Sequence, residues 1–465
     1  MKNMSKSIKR QYLASFCAIL MMLAHGASCG WTSPSFPILQ SIETPLEGGI
    51  LTNEQMSWIG ALLCPGGVLG TLIYGWLCDK FGRRLSACTI TIPHITSWIF
   101  ILIAKHPYHL YISRFLAGFT GAAAFVVIPI YISEITESHV RGLMGSMVVL
   151  SCNIGIFLAF IVGNFIEPMD VPWVFLPLSA IYLVGFIYLP ETPMYLMKKN
   201  DYVGAEKSLR FYRGLSLTGT SKCFVMELTT LRQISEEKSE NKNDIQMKLS
   251  DFTTPVARRA MIIGIGLVIL NQFCGCFAMI NYTATIFAKA GSNLSPNVSA
   301  MIVGFIQILG SYISTVLVER AGRKMLMVVS ASGISMGLSV LGVYCYLDSI
   351  PGQNLWKWNF IPLLSFSFVI FVANLGVLSL PFLILTEIMP VKIKTVAMSI
   401  CLIILNVCAF IAIKCLPTFI ELFEMYGTMA IFASCSLIGT AFLIIYLPET
   451  KGKTFEEIMI LLENY

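Results

Sequence analysis

Three charged motifs occur twice in the chain, in the same order of acids and bases. Asp79-Lys80-Phe81-Gly82-Arg83-Arg84 is matched by Glu319-Arg320-Ala321-Gly322-Arg323-Lys324. Pro129 to Glu134 with Arg141 is matched by Pro381 to Glu387 with Lys394, and Tyr188-Leu189-Pro190-Glu191-Thr192 recurs as Tyr446-Leu447-Pro448-Glu449-Thr450. One set is therefore Asp79, Arg83, Arg84, Glu134, Arg141 and Glu191; the other is Glu319, Arg323, Lys324, Glu387, Lys394 and Glu449. Their chemistry is ion pairing. Each charge just outside hydrocarbon is cheap, but like sets under two halves can pair across the cleft between them. The expected result is a two-state latch, closed on the charged side and broken when the halves rock apart. The plain alternative is topogenic charge at helix ends. Nothing in the chain has the pattern of a nucleotide site or an activated nucleophile, so neither an enzyme nor a cofactor is expected. Cys274 and Cys276, the close pair among 14 cysteines, lack metal-site spacing and companion histidines, so they read as packing residues and no metal is expected.

The elements that must hold these charges are membrane helices. Hydrophobic side chains make up 56% of the 465 residues and charged ones only 12%, too apolar for a water-soluble domain. With about 20 residues needed per crossing, twelve apolar runs are found, beginning near residues 12, 55, 85, 108, 141, 171, 258, 297, 325, 359, 394 and 426. An even number places both termini on one side. Of 32 Lys and Arg, 27 fall in the terminal tails and the loops on that side; Lys105, Lys289 and Lys357 lie in the opposite loops, and Arg114 and Lys414 within spans. The positive-inside rule makes the termini and the 190–257 segment cytoplasmic. The basic excess of +6 is thus topological, and no nucleic acid partner is implied.

The expected organisation is an all-α membrane protein of two six-helix bundles, 1–189 and 258–448. Between them lies a cytoplasmic linker, 190–257, and after them a tail, 449–465. Apolar residues three or four apart over Tyr202 to Tyr212 predict a short amphipathic helix in the linker. The loop from Ser33 to Glu54 holds acids and no base, as an outside loop should. Asn293 and Asn297 are sequons in the outside loop after the seventh span and are candidates for glycosylation; the sequon at Asn281 lies inside a span and should be unused.

Taken together, these motifs resemble the sugar porter branch of the major facilitator superfamily over nearly the whole chain. The resemblance is carried by Gly75-x-x-x-Asp79-Lys80-x-Gly82-Arg83-Arg84, Pro129-x-Tyr131-x-x-Glu134, Arg141-Gly142, Pro190-Glu191-Thr192-Pro193, Glu319-Arg320-x-Gly322-Arg323-Lys324 and Pro448-Glu449-Thr450-Lys451-Gly452. Gly30-Trp31-Thr32-Ser33-Pro34 and Asn153-Ile154-Gly155 are most similar to insect trehalose transporters and intracellular-type glucose transporters. What the resemblance implies is facilitative, alternating-access transport of trehalose or a hexose. It would act as a monomer in the cell membrane, with a small solute and the bilayer as its partners. The solute site is where the chain departs from that family. Gln272 and Tyr282 match its seventh span, Asn271 is a shortened amide, and Phe277 stands in place of the sugar-binding Asn. Gln307 replaces an eighth-span Asn, and Phe382 follows Pro381 where the family has Trp. The family's fifth-span Gln and eleventh-span Asn fall at Val149 and Leu405, with Asn406 beside the latter. Candidate solute ligands are therefore Asn271, Gln272, Asn281, Tyr282, Gln307, Phe382 and Asn406, with Asn374 as a further buried amide. Each amide could instead tie helices together. The proton-driven members pair a first-span acid with the fourth-span Arg. Here Arg114 is present and Thr32 stands at the acid position, so facilitated diffusion is expected. Two other readings stay open, a solute sensor that does not transport and a carrier of a less hydroxylated solute.

Overall fold

A computed structural model describes residues 2–215, 222–240, 249–290, 294–351, 356–390, 392–453 and 455–464. Among the described residues nine helices are long and apolar enough to cross a membrane. They supply span 1 (Lys9–Leu39), span 2 (Asn53–Phe81), span 3 (Arg83–Leu102), span 4 (Pro107–Ile135), span 5 (Gly142–Phe165), span 7 (Pro255–Asn281), span 8 (Pro296–Val318) and span 9 (Arg323–Ser349). The ninth, Lys394–Tyr446, is interrupted at Glu424, which has φ 55°, and so contains spans 11 and 12. The shorter Pro172–Tyr188 is span 6, and Ile361–Leu375 with Pro381–Ile388 forms span 10. This is the twelve-helix major facilitator fold.

Local sequence sets the ends. Proline opens spans 4, 6, 7 and 8, where its missing N–H costs nothing. Gly82 and Gly322, with φ of 101° and 90°, turn the chain between spans 2 and 3 and between spans 8 and 9. Span 7 is broken at Gly275, whose φ is 77° and where a Cβ would lie 2.6 Å from the Phe432 ring. Spans 1 and 2 are interrupted more gently, at Trp31 and Leu62. Within the linker, Pro193–Lys198, Tyr202–Tyr212 and Lys222–Glu240 are helical. The amphipathic helix expected over Tyr202–Tyr212 is therefore present with those bounds.

Spans 1 to 6 pack against one another, as do spans 7 to 12; the halves meet where span 5 lies on span 8, span 2 on span 11, and span 1 on span 7. Two apolar cores result. One belongs to the N-half alone and runs from Ala14 and Met21 through Tyr131 and Tyr182 to Tyr212 of the linker. The other joins the halves, with Phe36, Met56 and Ile59 packed in one core with Tyr282 and Ile413. Those joining residues lie toward the face opposite the termini, called the distal face below.

Candidate solute site and gates

The halves are closed against each other on the distal side. Thr32 donates its hydroxyl to the Asn281 carbonyl oxygen at 3.2 Å, and the Ala284 backbone N–H donates to the Ser33 hydroxyl at 3.0 Å. The Tyr282 ring lies 5.1 Å from that of Phe36, and its hydroxyl reaches toward the Met56 carbonyl. Span 11 adds Lys414, whose ammonium donates to the Ser57 hydroxyl at 2.7 Å and sits 4.2 Å from the centre of the Trp58 ring. Glu421, two turns farther out, accepts from the Asn53 amide. Toward the middle, Asn406 lies against Gly67, where a Cβ would come within 2.5 Å of its amide oxygen. Spans 2 and 11 thus run antiparallel in step from the distal surface inward.

On the other side of the interface, spans 5, 8 and 10 meet in an amide cluster. Gln307 donates to the Asn153 carbonyl oxygen at 2.8 Å; Asn153 donates to Ser311, and Ser311 donates to Asn374 at 3.1 Å. Asn271 donates to the Val377 carbonyl at 2.6 Å, and Gln272 donates to Asn271 at 2.6 Å. Two acceptors in this set remain buried without a partner, Oε1 of Gln272 and Oε1 of Gln307. An unfilled carbonyl acceptor at this depth costs free energy until a donor reaches it. A solute hydroxyl is such a donor.

The expected ligands are therefore dispersed over different tasks. Gln272 and Gln307 keep a free acceptor. Asn281 and Tyr282 serve the distal closure, and Asn281 also donates to the Phe277 carbonyl, which fits an unused sequon. Asn406 donates to Leu402 of its own helix at 2.9 Å, and Phe382 is half-buried at the start of the second helix of span 10. Asn153, Ser311, Thr32, Ser57, Trp58 and Lys414 were not among the candidates. The available signal for Asn153 was its place one helical turn beyond Val149. Lys414 was visible as a cation inside a span.

At the terminal face the two charge clusters repeat in detail. Arg83 donates Nε and Nη2 to Glu134 Oε1 at 3.1 and 2.8 Å and Nη1 to the Cys78 carbonyl, while Thr192 donates its hydroxyl to the other Glu134 oxygen. Arg323 donates to Glu387 Oε1 at 3.3 and 3.2 Å and to the Val318 carbonyl, and Thr450 donates to the other Glu387 oxygen. Glu191 accepts the backbone N–H groups of Arg83 and Arg84, and Glu449 those of Arg323 and Lys324, so each carboxylate caps the N-terminus of span 3 or span 9. Burial dominates at Glu191 and raises its pKa above the ordinary 4.5 despite the donors. Burial also acts on Glu449, but backbone donors from Lys451, Arg323, Lys324 and Thr450 outweigh it and hold the pKa below 4.5. The linker makes the difference. Ser208 donates to the Glu191 carbonyl, and Tyr195 lies over Arg83 at 5.2 Å, covering the first cluster.

Among the described residues, the gate charges find partners within their own half. The described ion pairs run within a half: Arg83 with Glu134 and Asp79, Asp79 with Lys198 of the linker, and Arg323 with Glu387. Arg84 and Lys394 donate to backbone carbonyls of Ile187 and Thr386. The side chains of Arg141 and Glu319 lie outside the described residues, as does Asn293; Asn297 is the second residue of the span 8 helix.

Two six-span bundles closed on the distal side, with two buried amide oxygens left without a partner, have the form of a membrane carrier of the major facilitator class. Residues 8–462 match the family described as Sugar (and other) transporter, and the chain belongs to it. This is a family of transporters, not of enzymes. Among relatives, the facilitated trehalose transporter Tret1 of Culex quinquefasciatus is 29% identical over 96% of this chain and 85% of its own length. Those of Aedes aegypti and Drosophila virilis are 29% and 30% identical over 96% of this chain. The chain spans about half the length of these two relatives, 54% and 48%. Among solved structures, the inward open xylose transporter XylE from E. coli superposes with a TM-score of 0.77 at 20% identity, over 97% of this chain and 99% of that one.

Proposed function

We propose that the chain is a facilitative sugar carrier working by alternating access, seen here open toward the terminal face. The observation that carries this is the pair of buried, partnerless carbonyl oxygens on Gln272 and Gln307, set between halves that are closed distally. Trehalose, the solute named for its relatives, or a hexose supplies hydroxyl donors for both. The lysine and arginine bias makes the terminal face and linker cytoplasmic and the distal closure the outer gate. The cell membrane, a monomeric state and glycosylation at Asn297 or Asn293 belong to the same proposal.

Transport without proton coupling follows from Arg114 and Thr32. Arg114 donates to the backbone carbonyls of Ser28 and Ile59, and Thr32 is occupied with Asn281. No described carboxylate pairs with Arg114 to carry a proton. A second reading, a less hydroxylated solute, is favoured by Phe277 and by the commitment of the Asn271, Asn281 and Asn406 amides to protein carbonyls. Radiolabelled uptake into oocytes across trehalose, glucose, polyols and less polar solutes separates the two. Gln272→Ala and Gln307→Ala should each lower sugar uptake about tenfold, the cost of one lost hydrogen bond in a buried site. Wild-type rates in both variants at equal surface expression would remove the assignment.

A further inference from the structure

Arg114 is a fully buried guanidinium in the first third of span 4, toward the distal face. A charge desolvated this far must be balanced. Its partners are two backbone carbonyls: Nη1 donates to Ser28 at 2.6 Å, and Nε donates to Ile59 at 3.3 Å. Ser28 lies in the last turn of the helix Lys2–Gly30, and Ile59 in the last turn of the helix Asn53–Ala61. Both helices stop at the interruptions of spans 1 and 2, at Trp31 and Leu62. The carbonyl end of a helix carries about half an elementary negative charge. Two such ends together offset about one elementary charge, while Nη2 stays buried without a hydrogen-bond partner.

The helices that meet these interruptions on the distal side are Thr32–Leu39 and Asn53–Ala61. They carry the whole N-half side of the distal closure described above: Thr32, Ser33 and Phe36 on the first, Asn53, Met56, Ser57 and Trp58 on the second. We propose that Arg114 is the positioning residue of this gate: its planar fork clamps the interruptions of spans 1 and 2 together and so sets the spacing of the two gate helices. It touches neither solute nor proton path. A lysine could not take its place, because a single ammonium cannot hold the two carbonyls in the same fixed fork. The word gate rests on the alternating-access reading, but the clamp is a geometric claim that can be tested without any solute.

The test uses the full chain in nanodiscs with Ser33→Cys as reporter, since Ser33 is wholly buried in the closure. A bulky maleimide is added without solute, and labelling is followed by peptide-level mass spectrometry. Cys78 and Cys401, at 2% and 0% exposure, report whether each half stays folded. Arg114→Gln should speed labelling of the reporter about tenfold while both native thiols stay protected. Arg114→Lys, which keeps the charge but loses the fork, should fall between that variant and the parent. Lys414→Met releases the same gate helix from the opposite half, so it should speed labelling alone and add less in the Arg114→Gln background. Rates for Arg114→Gln and Arg114→Lys within about twofold of the parent would overturn the proposal. So would loss of Cys78 or Cys401 protection in both variants, which would make Arg114 a general support of the fold. Failure of sugar uptake in the wild-type chain would affect the functional reading and leave this result standing.

Discussion

At the level of single residues, the duplicated Arg and Glu pairs act as joints inside each half. Arg83 answers Glu134 and Arg323 answers Glu387 with the same two donors, so removing either arginine strands a half-buried carboxylate. Arg83→Ala and Arg323→Ala should each cost about 3 kcal/mol of stability, read as a lowered midpoint in a thermal-unfolding assay in detergent; unchanged midpoints would show the pairs to be incidental. The caps differ in sign. Glu449, with a depressed pKa, stabilises above its unfolded value and loses that contribution only as the pH falls through a pKa below 4.5. Glu191, with a raised pKa, is penalised when ionised, and the penalty is relieved as the pH falls through a pKa above 4.5. At pH 7, Glu449→Gln should therefore lower the unfolding midpoint more than Glu191→Gln does. The reverse order would contradict this assignment of the two environments. The motifs that identify these residues were legible in the sequence because charge is sparse in this chain. Their partners were not, because which acid meets which base depends on how far apart the halves stand.

The same division holds for the elements. Twelve crossings, their approximate starts and the linker helix Tyr202–Tyr212 could be read from apolar length and periodicity, which depend on local sequence alone. The interruptions at Trp31 and Leu62 could not. Both residues keep right-handed helical dihedrals; Pro34 and Pro65, three residues beyond them, withhold the N–H that would bond Gly30 and Ala61, but prolines in membrane helices often leave the helix unbroken. Positive-φ glycines are the opposite case, fixed by local geometry. Gly82 has φ 101°, and a Cβ there would lie 2.3 Å from Glu191 Oε2; Gly322 has φ 90° and would clash with Glu449 at 2.6 Å. Gly82→Ala and Gly322→Ala should each destabilise their half by about 2 kcal/mol through strain and displacement of the capping carboxylate. Midpoints equal to wild type would show that these turns relax freely.

At the scale of the whole molecule, the resemblance legible in the sequence extends to the fold and to the conformational machinery, and thins out at the solute site. Amides at lipid depth were visible as a group, but their division among gate, helix tie and free acceptor required the packing of spans 5, 7, 8, 10 and 11. Gln307 illustrates why: its donor goes to Asn153 across the interface, and its acceptor stays open, a distinction no single helix encodes. The activity proposed for the chain is passive, alternating-access movement of a sugar. Its most direct test is flux of radiolabelled trehalose and glucose into proteoliposomes holding the purified chain, with and without an acid-outside pH gradient. Saturable entry of a sugar that stops at equal concentrations, with or without the gradient, is expected of a passive carrier. Accumulation above the bath driven by the gradient, or no entry of either sugar, would contradict it.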